Sequence, residues 1–201
     1  MKAFRVFLRA LEPEDYTTTI AWRNDDEIWS KVVGRKYFVS REFERQWMER
    51  AVSERTEDVR LAICTADEGV HIGNVYLTNI SFFERAAGSA VLIGDKNYWN
   101  RGHGTESVLL LLSYAFMDLG LERVEARQLS TNTASIRMHE KCGYQTEGVL
   151  RKAALKNGEL VDVNLMSCLR NDFLRVWAAV QPTMTDRDRD YSTTVEEKRT
   201  Q

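Results

Sequence analysis

The run from Val91 to Glu106 constrains this chain most: Val91, Leu92 and Ile93 read as the end of a buried strand, Gly94 to Asn100 as a short loop, and Gly102 and Gly104 as a helix start. A strand that hands over to a helix so quickly demands an α/β arrangement and leaves the first helical amides without internal partners. Two glycines let a ligand approach that backbone, and Arg101 adds a cation, so the segment suits a phosphate ester. A second polar helix start, in the segment Asn132 to Tyr144, follows another strand, so two helix starts can face one cleft.

The rest of the pattern is that of one mixed sheet. Phe4 to Arg9 alternates as a strand; Pro13, Glu14 and Asp15 open a helix carrying Ile20 and Trp22. Residues 28–39 read as a loop, and Ser40 starts a helix with Phe43, Trp47 and Ala51 on one face. Strands at 59–66, 70–80 and 87–94 form an antiparallel meander. Next come a helix over 105–119 stopped by Gly120, a strand at 123–130, a helix at 133–141, and strands at 144–150 and 161–169 with Asn157-Gly158 as a turn signal between them. Helices are expected on both faces of the sheet.

With 201 residues, 43% of them hydrophobic, the chain has material for one core, expected within residues 1–180, followed by a polar tail over 181–201 rich in Asp and Arg. A formal net charge of -2 argues against a broad basic face for nucleic acid. Cys64, Cys142 and Cys168 stand far apart, as reduced thiols do, and propose neither a disulfide framework nor a metal cage. The longest apolar run, Val108 to Leu112, is too short to span a bilayer, and no signal peptide is legible, so a soluble cytoplasmic protein without a membrane partner is expected.

Residues 91–106 with 132–144 resemble the acetyl-CoA-binding core of the GNAT N-acetyltransferase superfamily, in particular the branch of ribosomal-protein N-terminal and spermidine acetyltransferases. Supporting signals occur in similar order: Trp22-Arg23-Asn24-Asp25, Ile72-Gly73-Asn74, and Glu147-Gly148 ahead of Lys156-Asn157-Gly158. The resemblance spans about residues 4–175. It implies an α/β (α+β) fold with a mostly antiparallel, splayed central sheet, and acetyl-CoA as co-substrate without a metal. In that reading Arg101, Gly102, His103, Gly104 and Thr105 bind the pyrophosphate. Leu92 and Ile93 flank the pantetheine arm, which Asn132 and Ser135 steady, with a bulge expected near Ala90. His139, where several relatives carry Tyr, protonates the departing thiolate, and Trp22, Arg23 and Asp25 shape the acceptor side.

Acetyl transfer needs an amine with a free lone pair. An alkylammonium with a pKa of about 10.4 must first lose a proton, whereas an α-amino group near about 8 is already partly neutral. Some relatives carry Glu in the strand before the pyrophosphate loop, where this chain has Ala87-Gly88-Ser89. Glu125, Ser130, Glu84 and the Asp25 to Glu27 stretch remain as base candidates, acting directly or through water. The expected reaction is direct attack in a ternary complex on a small-molecule primary amine of polyamine or amino sugar type. A protein N-terminus as acceptor, or a non-catalytic acyl-CoA-binding module, are the alternatives, and the resemblance is compatible with a homodimer.

Overall fold

The computed structural model describes residues 4–34, 36–53 and 58–180. Seven strands, β1 (Val6–Ala10), β2 (Val59–Thr65), β3 (His71–Ser81), β4 (Ala86–Ile93), β5 (Arg123–Leu129), β6 (Gln145–Lys156) and β7 (Glu159–Leu169), form one sheet in the order β1-β2-β3-β4-β5-β7-β6. Every neighbouring pair is antiparallel except β4 and β5. That pair is parallel because the chain returns through helix α4 (His103–Ser113), the crossover a parallel neighbour requires.

Strand alternation divides the core between the two faces. Ile63, Ile72, Val75 and Val124 pack with Leu109, Leu112 and Phe116 in the main cluster. Ala62 and Cys64, on the other side of β2, pack with Leu11, Met48 and Trp47. Helices α4, α5 (Thr133–Lys141) and α6 (Arg170–Val180) therefore cover one face, and α1 (Tyr16–Arg23) and α3 (Arg41–Ser53) cover the β1–β3 half of the other. At Asn157 and Gly158 the φ angles are 51° and 83°, the left-handed pair that a two-residue hairpin turn demands.

Three local readings need correction. The stretch expected as a loop contains α2 (Asp26–Lys31), whose start is capped by Asp25: its Oδ1 accepts the Ile28 amide at 3.1 Å. One and a half turns are too few to show periodicity. Helix α6 was not anticipated, although Phe173 and Trp177, four residues apart, are both buried. Ala90 sits in regular register opposite Tyr76; the irregularity lies between Thr78 and Ser81, where Asn79 has φ 51°. The tail expected over 181–201 lies outside the described residues.

The decisive departure from a regular sheet is between β4 and β5. Their pairing runs only from Ala86↔Arg123 to Ser89↔Ala126. Beyond it β4 stays paired with β3 as far as Ile93, and β5 with β7 as far as Leu129. The two strands part while their outer partners hold, which leaves inner backbone groups of residues 90–93 and 127–129 facing a gap.

Candidate active site

The gap opens into a cleft of about 1600 Å³. Leu92, Ile93, Gly102, Gly104, Thr105, Asn132 and Ser135 all line it, so the structure brings together seven of the residues singled out from sequence. Arg101, His103, His139, Trp22, Arg23 and Asp25 do not line it.

At the C-terminal end of β4, Gly102 caps α4 with φ 88°, and the first amide bonded back into the helix is that of Glu106, to the Gly102 carbonyl at 3.1 Å. The amides of His103, Gly104 and Thr105 precede it and have no intrahelical acceptor, nor does a side chain cap them. The Arg5 guanidinium donates to the Arg101 carbonyl and grips Glu106, with Nη2 2.7 Å from Oε1, which anchors the loop to the start of β1. A Cβ on Gly104 would stand 2.8 Å from the Met138 Sδ, so that glycine also lets α4 and α5 approach. The Arg101 side chain is exposed beside this helix start. The His103 ring is buried edge-on against Tyr98, with centroids 5.1 Å apart, so only its backbone amide is uncommitted at the helix start. Trp99, which also lines the cleft, donates its indole N–H to the Ile93 carbonyl at 2.7 Å and carries the Lys31 ammonium 4.2 Å from its ring centroid.

At the start of α5 the Asn132 side chain does two jobs. Its Oδ1 accepts the Ser135 amide at 3.1 Å as a helix cap, and its Nδ2 donates to the Lys31 carbonyl at 2.9 Å, tying α2 to α5 across the cleft mouth. Ser135 donates its hydroxyl to the Gln128 Oε1 at 2.7 Å. Gln128 lines the cleft from β5 and was missed from sequence. The signal was there: Val124 and Ala126 set the apolar face of that strand, and Gln128 breaks it with an amide.

His139 departs from its expected place. It is 1% exposed and packs edge-on against Tyr144, centroids 4.8 Å apart. Its Nδ1 donates to the Ser135 carbonyl at 2.9 Å, and its Nε2, 3.2 Å from the Gln128 Nε2, is left as an acceptor for that amide. Burial pushes the imidazole down to about 4, so the ring is neutral at neutral pH. Both nitrogens are engaged within the protein, by the Ser135 carbonyl and the Gln128 amide, and the ring itself does not line the cleft.

The acceptor-side candidates also have other work. Trp22 is buried against His71, centroids 5.1 Å apart, and fills the space that a Cβ on Gly94 would need. Arg23 donates its Nε to Glu44 at 3.0 Å and lies 5.2 Å from the Trp47 ring centroid. Asp25 caps α2 and accepts the Lys96 ammonium at 2.8 Å; that ammonium and the Ile28 amide lower its pKa. The open face instead presents Arg123, which reaches Glu125 at 2.9 Å and Glu147 at 2.8 Å, with Ser167 donating to Glu147 at 2.7 Å. The Arg123 hydrogen bonds hold the Glu147 carboxyl down at about 2. Of the base candidates, Ser130 donates its hydroxyl to Asn164, while Glu84 and Glu125 line the cleft. Lys156 on the β6–β7 hairpin donates to the carbonyls of Trp29 and Gly34, at 2.9 and 2.6 Å, and pins the α2 loop over this end. No group of three or more metal-ligating side chains occurs among the described residues.

Comparison with known proteins agrees with this geometry. Residues 5–145 match the model of the acetyltransferase (GNAT) domain. The probable N-acetyltransferase YjcK of Bacillus subtilis is 30% identical over 182 residues, covering 86% of this chain and 98% of the relative. The spermidine N-acetyltransferase of Vibrio cholerae, solved with CoA and spermine, superposes with a TM-score of 0.77 at 24% identity, covering 85% of this chain and 98% of that one. A GNAT-family acetyltransferase of Bacillus anthracis superposes at 0.72 with 21% identity, over 85% of this chain and 98% of that one. At those identities the two structures speak for the fold alone. A domain match over most of the chain, a nearly full-length relative and a sheet parted beside an uncapped helix start lead to one conclusion: the chain belongs to the GNAT family and is an acetyl-CoA-dependent N-acetyltransferase.

Proposed function

We propose that this enzyme acetylates the primary amine of a small molecule of polyamine or amino sugar type, by direct attack with both substrates bound together. The observation that carries the reading is the parted β4–β5 pair, which joins a phosphate-suited helix start on one face to a carboxylate-bearing surface on the other. In this reading the amides of His103, Gly104 and Thr105 hold the pyrophosphate, helped by Arg101 and the positive end of the helix dipole. Along residues 90–93 the backbone groups that β5 no longer pairs face the amides of the pantetheine arm, alongside Leu92 and Ile93, except for the Ile93 carbonyl, which Trp99 holds, and Gln128 faces the same arm. Asn132 and Ser135 act at one remove, by fixing α5 and Gln128.

Bound acetyl-CoA supplies the activated acyl carbon and a thiolate leaving group. Glu84 and Glu125 favour arrival of a cationic amine, and either one, or a water between them, can take its proton; Glu147, held ionised by Arg123, is a poor base. Cys142 is a poor nucleophile because burial raises its thiol to about 12, which favours direct attack over a covalent route. The catalytic domain in this reading lies within residues 1–180.

The test is CoA release from acetyl-CoA with polyamines, amino sugars, aminoglycosides and N-terminal peptides as acceptors. Saturable release with a small amine supports the proposal, and release with peptides alone replaces it by protein N-terminal acetylation. Thermal stabilisation by acetyl-CoA without release from any acceptor would mark a binding module.

A further inference from the structure

We infer that the acceptor carries an anionic group, a phosphate or carboxylate, besides its amine, and that Arg127 on β5 reads it. The inference rests on the acetyl-transfer reading above and narrows its acceptor class. Along β5, Val124 and Ala126 are buried beneath α4 and Gln128 reaches Ser135 of α5, so Arg127 stands with Arg123 and Glu125 on the opposite, open face. It lines the cleft where β4 and β5 have already parted.

What distinguishes Arg127 is that its charge is unspent. Arg123, four residues earlier on the same face, is neutralised by Glu125 and Glu147. Lys156 is consumed by two carbonyls, and Lys31 lies 3.7 Å from Glu27. The Arg127 side chain makes no hydrogen bond or ion pair with any described residue. The other unspent cations of the cleft, Arg137 and Lys141, lie one turn apart on α5, beside the helix start suited to the nucleotide. Arg127 is separated from them by the sheet. A guanidinium with five free donors is a fork for a carboxylate or phosphate, and it repels a ligand that carries only ammonium groups. Glu84, which lines the same cleft, leaves a place for the amine, whereas Glu125 is shared with Arg123. The acceptor face thus has a positive and a negative part, which a free polyamine satisfies only by half.

The experiment measures CoA release by the full chain at saturating acetyl-CoA with matched acceptors: glucosamine and glucosamine 6-phosphate, ethanolamine and phosphoethanolamine, β-alanine and its amide, and spermidine. Wild type, Arg127→Gln and Arg127→Lys are compared. The expected result is a kcat/KM at least tenfold higher for the anionic member of a pair. Arg127→Gln removes most of that advantage through the acceptor KM, Arg127→Lys retains part of it, and the acetyl-CoA KM and melting temperature do not move. The phosphate and carboxylate pairs separate the two anions. Preference for spermidine or for the uncharged partners overturns the inference while leaving acetyl transfer intact. So does an Arg127→Gln effect confined to the acetyl-CoA KM. Absence of release from every acceptor overturns the acetyl-transfer reading itself.

Discussion

The Nε2 of His139 lies 3.2 Å from the Nε2 of Gln128, so a buried ring on α5 holds the one amide side chain that β5 turns into the cleft from that face. A neutral ring accepts from that amide; a protonated one would set N–H against N–H and force Gln128 to turn, at the cost of its bond from Ser135. This geometry predicts a positioning role for His139. Replacement by Phe should lower kcat/KM without changing the pH profile between 6 and 8, and a Gln128→Leu, His139→Phe double variant should be little worse than either single one. Additive losses, or a pH limb that vanishes with the histidine, would restore the acid role.

The same burial makes His139 a site of acid sensitivity. Its folded pKa is lowered from 6.5 to about 4, so the unfolded chain takes up the proton first. Stability is unaffected above the unfolded value and falls as pH drops through the window from 6.5 towards 4. The loss attributable to this ring is about 3 kcal/mol. Urea midpoints at pH 7, 5.5 and 4.5 should fall more steeply for wild type than for His139→Phe.

Asn132 joins α2 and α5 through one side chain. Asn132→Ala removes the α5 cap and leaves the Lys31 carbonyl without its donor, and should destabilise the protein by about 1–2 kcal/mol. Because α2 then loses its tie to α5, the acetyl-CoA KM should rise several-fold. Chemical denaturation and steady-state kinetics on the same preparation check both.

At Gly102 an added Cβ would overlap the Arg5 guanidinium, and the residue holds φ 88°. Gly102→Ala should cost about 1–2 kcal/mol for the left-handed backbone alone and weaken acetyl-CoA binding by displacing the first amides of α4. An unchanged acetyl-CoA dissociation constant by calorimetry would contradict a pyrophosphate site there.

Much of this enzyme was legible in order along the chain. The glycines at 102 and 104 after an apolar strand, the Asn132 cap and the Asn157-Gly158 turn are local devices, each set by backbone sterics or by a side chain bonding within three residues, and the structure has them where the pattern puts them. Even the corrected loop obeyed this logic, since the Asp25 cap and buried Ile28 are readable once a short helix is admitted.

What sequence alone could not decide was direction and partnership. His139 is four residues from Ser135 in any helix, but only the packing of α5 against Tyr144 and β5 turns its ring from the cleft towards Gln128. Arg123 and Arg127 alternate alike on one strand, yet Glu147 arrives from another strand to neutralise the first and leaves the second unpaired. Trp22, Arg23 and Asp25 read as a polar, aromatic approach to a substrate, and the tertiary fold spends them on Gly94, Glu44 and Lys96. Local backbone chemistry is written in neighbouring residues; the cost of burying a ring or a charge depends on groups distant in the chain, and only the folded sheet brings them together.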